Sequence, residues 1–158
     1  MNDFDTLPYQ LHTGQELHLM LEGVKPLACF CHEYPSPPCE EIVPEVAFDE
    51  HVQRGRFERR EYVELVSPAT QARRHPIKGI RHVLYAQPSE AWRIDAYIDL
   101  KARAAITGWS AEFERLEGRL LGYEDWQTDA WLAMLRARPN AHRIPWLARL
   151  AEKSHGAS

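Results

Sequence analysis

Between Ile80 and Ala86 the chain alternates, placing Ile80, His82, Leu84 and Ala86 on one side of an extended segment and Arg81, Val83 and Tyr85 on the other. Both sides carry apolar groups, which predicts an interior strand. Pro88 has no N–H to give to a ladder and ends it. Ser89 then offers a helix cap, and Glu90 places a negative charge where the helix dipole favours it. Beyond it the apolar period lengthens: Ala91, Ile94, Ile98, Ala102 and Ala105 recur at helical spacing, with Tyr97 and Ala104 widening the stripe. A helix over 90–105 with one face to bury is expected. Asp95, Asp99 and Arg103 fall four apart on its other side, a solvated face with an Asp99–Arg103 pair.

The same patterns organise the rest of the chain. Thr13, Gly14, Gln15 and Glu16 have the form of a capping box before Leu17, Met20 and Leu21, and Gly23 supplies a stop, so a short helix is predicted. Leu27 to Glu33 is apolar on both faces and reads as a second interior strand. Pro35, Pro37, Pro38 and Pro44 then force a loop or sheet edge. Phe48 to Arg54 suits a helical turn or two, closed by Gly55. Arg60 to Val66 reads as a half-buried strand, with Val63 and Leu65 on one face and Arg60, Tyr62 and Glu64 on the other. Residues 69–79 lack any period and read as a basic loop.

In the second half, Ser110 can cap a helix over 111–121 with Phe113, Leu116 and Leu120 inward, ended by Gly122. Asp125 can cap another through Ala137, in which Trp126, Ala130, Ala133 and Met134 share a stripe beside Trp131 and Leu135. Pro145 suits the start of a last short helix with Leu147, Leu150 and Ala151. Strands cluster in the first half and helices in the second. The expected class is therefore α+β, a small antiparallel sheet of at least three strands packed against a helical C-terminal half.

A chain of 158 residues suits one domain, over 1–153, with 154–158 a frayed tail. The acidic N-terminus and the lack of any long apolar run predict no signal peptide, no membrane span and a cytoplasmic location. Charge is unevenly spread: residues 1–52 carry one lysine and ten acids, residues 53–82 eight bases and three acids, and the remainder ten of each. An acidic third beside a basic third suggests pairing within the fold.

Four groups of residues could carry chemistry. Cys29 and Cys31 would point the same way from a strand and His32 the other way, so a base for either thiol must come from elsewhere, among His12, His18, His75 and His82. Zinc would need Cys39 to fold back toward the two strand thiols and a histidine to complete the set. The spacing is not that of a zinc hook, and a Cys31–Cys39 disulfide finds no secretory context. Inert buried thiols, with no metal and no cofactor, are the expectation. The basic middle comprises Arg54, Arg56, Arg59, Arg60, Arg73, Arg74, Lys78 and Arg81; it could grip phosphates, but Glu58, Glu61 and Glu64 interleave it, and nucleic acid is disfavoured. Asp125 and Asp129 lie one turn apart, where helix-start acids serve capping and the dipole, and Trp126 and Trp131 read as core or interface anchors. Finally, a ligand site at the strand-to-helix junction 87–95 would draw on His82, Tyr85, Trp92, Arg93 and Asp95, with Arg73 and Arg74 holding an anion.

Polarised charge, abundant tryptophan and the lack of a catalytic signature favour a non-enzymatic binding or regulatory domain acting through a protein partner. The alternative is a small enzyme or anion-binding domain using the 87–95 junction.

Overall fold

A computed structural model of the protein describes residues 3–66 and 78–138. They form an α+β arrangement, with a three-stranded antiparallel sheet in the N-terminal half and helices in the C-terminal half. The chain divides into two compact units: a sheet unit, Gly14–Ile94, and a helical unit comprising Met1–Thr13 and Asp95–Ser158.

The sheet unit contains α1 (Glu16–Leu21), β1 (Leu27–Tyr34), α2 (Glu45–Gln53), β2 (Glu58–Leu65) and β3 (Gly79–Ala86), with strand order β1-β3-β2. The strand read as interior from 80–86 is indeed the central one. The other expected interior strand, β1, pairs only with β3 among the described residues and lies at an edge. Its apolar character on both faces reflects burial of its first half, Leu27, Ala28 and Phe30, whereas Cys31, Glu33 and Tyr34 are exposed.

Strand alternation gives the sheet two chemically different faces. On one face Ala28 and Phe30 of β1 and Val83 and Tyr85 of β3 join Met20 of α1, Val43, Phe48 of α2 and Phe57 in a single apolar cluster, flanked by Leu17, Leu21 and Val52. Val63 and Leu65 share one face of β2, as the sequence reading had it, but at 37% and 75% exposed they contribute nothing to this core. The helix α1 starts at Glu16 with Gln15 before it and no side-chain cap. Thr13 therefore lies two residues too early for the expected capping box, set apart by the turn at Gly14, where φ is +81°.

A short 3-10 turn, Pro88–Glu90, leads from β3 into α3 (Trp92–Thr107), so Ser89 does not cap that helix. The buried stripe of α3 is also rotated from the expected one. Ile94, Tyr97 and Leu100 are buried, while Ala102 and Ala105 are exposed. Large side chains remove more apolar surface from water than alanines do, and they decide which way the helix faces. The Asp99–Arg103 pair forms on the solvent side at 3.7 Å.

In the helical unit, Ser110 Oγ accepts the Phe113 N–H at 3.2 Å and caps α4 (Ala111–Leu121), which Gly122 ends at a φ of +93°. Helix α5 (Asp125–Ala137) is capped one residue earlier than expected, where Gln127 Oε1 accepts the Glu124 N–H at 2.8 Å. The two helices meet where Gly118 lies against Thr128, and a methyl group built on Gly118 would fall inside the Thr128 hydroxyl. Gly118→Ala is expected to cost about 1–3 kcal/mol through overpacking, read as a lowered melting midpoint. An unchanged midpoint would show that the two helices can part at no cost. Arg115 pairs with Asp129 at 2.8 Å and Arg119 with Asp125 at 2.5 Å, so both helix-start acids have structural partners. The last predicted helix, the frayed tail and most of the basic loop lie outside the described residues.

Candidate functional site

Among the described residues, the second face of the sheet brings together the potential metal ligands Cys29, Cys31 and His82. Cys29 and Cys31, two apart on β1, project to that face, and the β1–β3 register sets Cys31 directly opposite His82. Cys31 Sγ is 3.2 Å from His82 Nδ1, Cys29 Sγ is 3.9 Å from the same nitrogen, and the two sulfurs are 3.9 Å apart. On the other side of β3, Tyr62 is the cross-strand neighbour of His82, its ring stacked on the imidazole at 4.6 Å and 3°. Glu64, two residues further along β2, puts Oε2 3.1 Å from His82 Nε2. Three strands thus supply thiols, imidazole and carboxylate in sequence, and pairing in the sheet fixes each position.

Burial and polarity differ across the group. His82 is 4% exposed, whereas Cys31 is open to solvent and Cys29 is half-buried. Burial disfavours the imidazolium, but the hydrogen bond and charge of Cys31, followed by those of Glu64, outweigh it and hold the His82 pKa above its ordinary value. Lys25, just before β1, is itself buried; burial lowers its pKa to about 8 against the opposing influence of Glu16 and Cys29. None of the three cysteines is in a disulfide. Cys31 is exposed rather than buried as the sequence suggested, and Cys39 is not part of the converging group.

The residues proposed at the 87–95 junction are not gathered into one place. Tyr85 projects to the core face, opposite to His82, and stacks on Phe48 at 4.1 Å. Trp92 is exposed and donates its indole N–H to Glu90 at 3.1 Å. Arg93 donates to the same carboxylate at 2.6 Å and lies over the Trp92 ring at 4.8 Å. Asp95 is exposed on α3, and Arg73 and Arg74 lie outside the described residues.

The basic middle is largely answered from within. Arg59 and Arg81 share the carboxylates of Glu45 and Glu61 in a four-membered network, with contacts from 2.6 to 3.1 Å. Hydrogen bonds from Arg81 hold both carboxyl pKa values below the ordinary 4.5. Because the folded values are depressed, the stabilisation is complete above that ordinary value and is lost as pH falls through the folded pKa values. Urea midpoints should therefore fall below pH 4.5 more steeply in the parent chain than in Glu45→Gln. Equal slopes would remove the network as a source of acid sensitivity.

Sequence reasoning named Cys29, Cys31 and, among several histidines, His82, but it missed Glu64, Tyr62 and Lys25. The parity of strand positions did place Tyr62 and Glu64 on one face; only the register places that face beside His82. The chain matches no protein-family model, no curated protein and no solved structure. Among the described residues no helix is long and apolar enough to cross a membrane.

Proposed function

We propose that the sheet unit is a soft-metal-binding domain, holding zinc or a similar thiophilic cation through Cys29, Cys31 and His82. One observation carries this reading: three ligand atoms, two sulfurs and a nitrogen, lie within 4.8 Å of one another. A tetrahedral zinc site with Zn–S near 2.3 Å and Zn–N near 2.0–2.1 Å has S···S edges of about 3.8 Å and S···N edges of about 3.5 Å. The S···S separation of 3.9 Å is close to the first edge, and the S···N separations of 3.9 and 3.2 Å bracket the second. A nucleophile and base need only one thiol, so the second sulfur at similar distance from both partners favours ligation. Glu64 on the far nitrogen of His82 supplies the carboxylate–histidine support that metal sites use to orient the ring. Three protein ligands with an exposed cysteine among them suit a site whose fourth position takes water or a further ligand.

Cobalt(II) titration of the reduced, full-length chain tests this. One equivalent should bind with the intense absorption of thiolate-to-cobalt charge transfer and tetrahedral ligand-field bands, and zinc should displace it. Absence of thiolate absorption at saturation would dispose of the assignment.

A second reading, an activated thiol, draws on the 3.2 Å contact between Cys31 and His82 with Glu64 behind it, the arrangement of a nucleophile, a base and an orienting acid. It requires metal-free protein to be alkylated at Cys31 faster than at Cys39, and more slowly once His82 is replaced by glutamine. Docking of a protein partner, the function favoured by the sequence, draws on Val63 and Leu65, which share one face of β2 and are 37% and 75% exposed.

A further inference from the structure

The helical unit has a partly open cavity of about 200 Å³ bounded by the N-terminal segment, α4 and α5. Tyr9, Tyr123 and Trp131 bring aromatic surface to it, Glu114 and Glu117 bring carboxylates, and among the described residues that line it there is no lysine, arginine or histidine. We propose that this cavity binds a small methylated ammonium group.

Size, shape and charge each support that chemistry. The space holds roughly seven water-sized groups at about 30 Å³ each, enough for a trimethylammonium head and a short tail. The rings stand at steep angles, with Tyr9 edge-on to Tyr123 at 6.0 Å and 65°. Such an arrangement can put ring surface on more than one side of a guest. Glu114 Oε2 accepts the Trp109 indole N–H at 2.6 Å, so its carboxylate is held in place by the unit's own indole. Its charged lining is acidic, from Glu114 and Glu117. Burial, then the charges on Tyr123 and Glu114, push the Tyr9 pKa up to about 12, and burial with the charge on Glu117 raises that of Glu114. A cation would relieve both.

The same unit already satisfies a cation in this way. The Lys101 ammonium pairs with Glu117 at 2.8 Å and lies over the Trp109 ring at 4.4 Å and the Tyr97 ring at 5.3 Å. A bare ammonium needs several hydrogen-bond acceptors, whereas a methylated one is weakly hydrated and gains from ring faces and a single carboxylate. Leu11 and Leu121, also on the wall, suit its methyl groups.

Choline and its uncharged isostere 3,3-dimethyl-1-butanol separate charge from shape. In tryptophan fluorescence titrations of the full chain, choline should saturate and bind at least about tenfold tighter than the isostere. Glu114→Gln, with an unchanged melting midpoint, should weaken choline by about tenfold. If that variant does not fold, the comparison of the two ligands on the parent chain decides alone. A trimethyllysine amide in the same titration identifies the source. Tighter binding than choline points to a methylated side chain, and weaker binding to a free amine; both uphold the ammonium assignment. Equal affinity for choline and the isostere, no saturable response to any of the three, or unchanged choline binding in folded Glu114→Gln would overturn it.

Discussion

Phe48→Ala will destabilise the sheet unit by about 3–5 kcal/mol, the range for deleting a buried phenylalanine side chain. Phe48 is fully buried, stacked on Tyr85 at 4.1 Å, edge-on to Phe30 at 5.6 Å and tilted against Phe57 at 5.8 Å. Phe30 and Tyr85 are held by backbone pairing between β1 and β3, so the space left by the ring cannot close without disturbing the sheet. Domains of this size have about 5–15 kcal/mol in total, and the variant should be partly unfolded at temperatures the parent tolerates. Urea unfolding followed by near-ultraviolet circular dichroism reads both effects. A cost below about 1.5 kcal/mol, the range of volume-conserving swaps, would mean that α2 is not essential to this core.

The same cluster explains what could be read without coordinates. Strand β3 was legible because its alternation is undiluted: every position from Val83 to Ala86 is buried, as a central strand demands. Helices α4 and α5 were legible within a residue because Ser110 and Gly122 do what their chemistry favours. Helix α3 was found but misoriented, since the spacing of small alanines resembles a stripe although Tyr97 and Leu100 dominate the area to be buried. Val63 and Leu65 misled for a different reason. The strand extends past its core, and β-branched or apolar residues there look the same in sequence as those beneath a helix layer.

The candidate site was legible in pieces only. The spacing of Cys29 and Cys31 establishes a shared face, and that much follows from a period of two. Joining them to His82, 51 residues beyond Cys31, depends on which strands pair and in what register, and neither is encoded locally. The 87–95 junction drew attention because ligands often bind beyond strand ends. There Glu90 satisfies Trp92 and Arg93 together, and alternation sends Tyr85 and His82 to opposite faces. Charge segregation likewise has an internal purpose, since Glu45 from the acidic third meets Arg59 and Arg81 from the basic third.

Glu64→Gln will weaken zinc binding by about 10–100-fold while leaving one site per chain, the effect usual for losing a carboxylate behind a histidine ligand. Glu64 Oε2 lies 3.1 Å from His82 Nε2 and fixes that nitrogen as the donor, which turns the lone pair of Nδ1 toward Cys29 and Cys31. Glutamine can accept the same hydrogen bond but brings no charge, so the imidazole becomes a poorer donor to the metal. With 44% of its side chain exposed, Glu64 can be replaced without opening the core, and the parent and variant should melt alike when metal-free. Zinc at 1,000 times its dissociation constant should add about 4 kcal/mol to the parent. Competition with a chromophoric chelator measures the affinities. Cys31→Ser, which removes a ligand outright, should fall below the variant at position 64. Equal affinity in Glu64→Gln and the parent would show that His82 does not bind metal through Nδ1; a slowed alkylation of Cys31 in that same variant would instead assign the carboxylate to thiol activation.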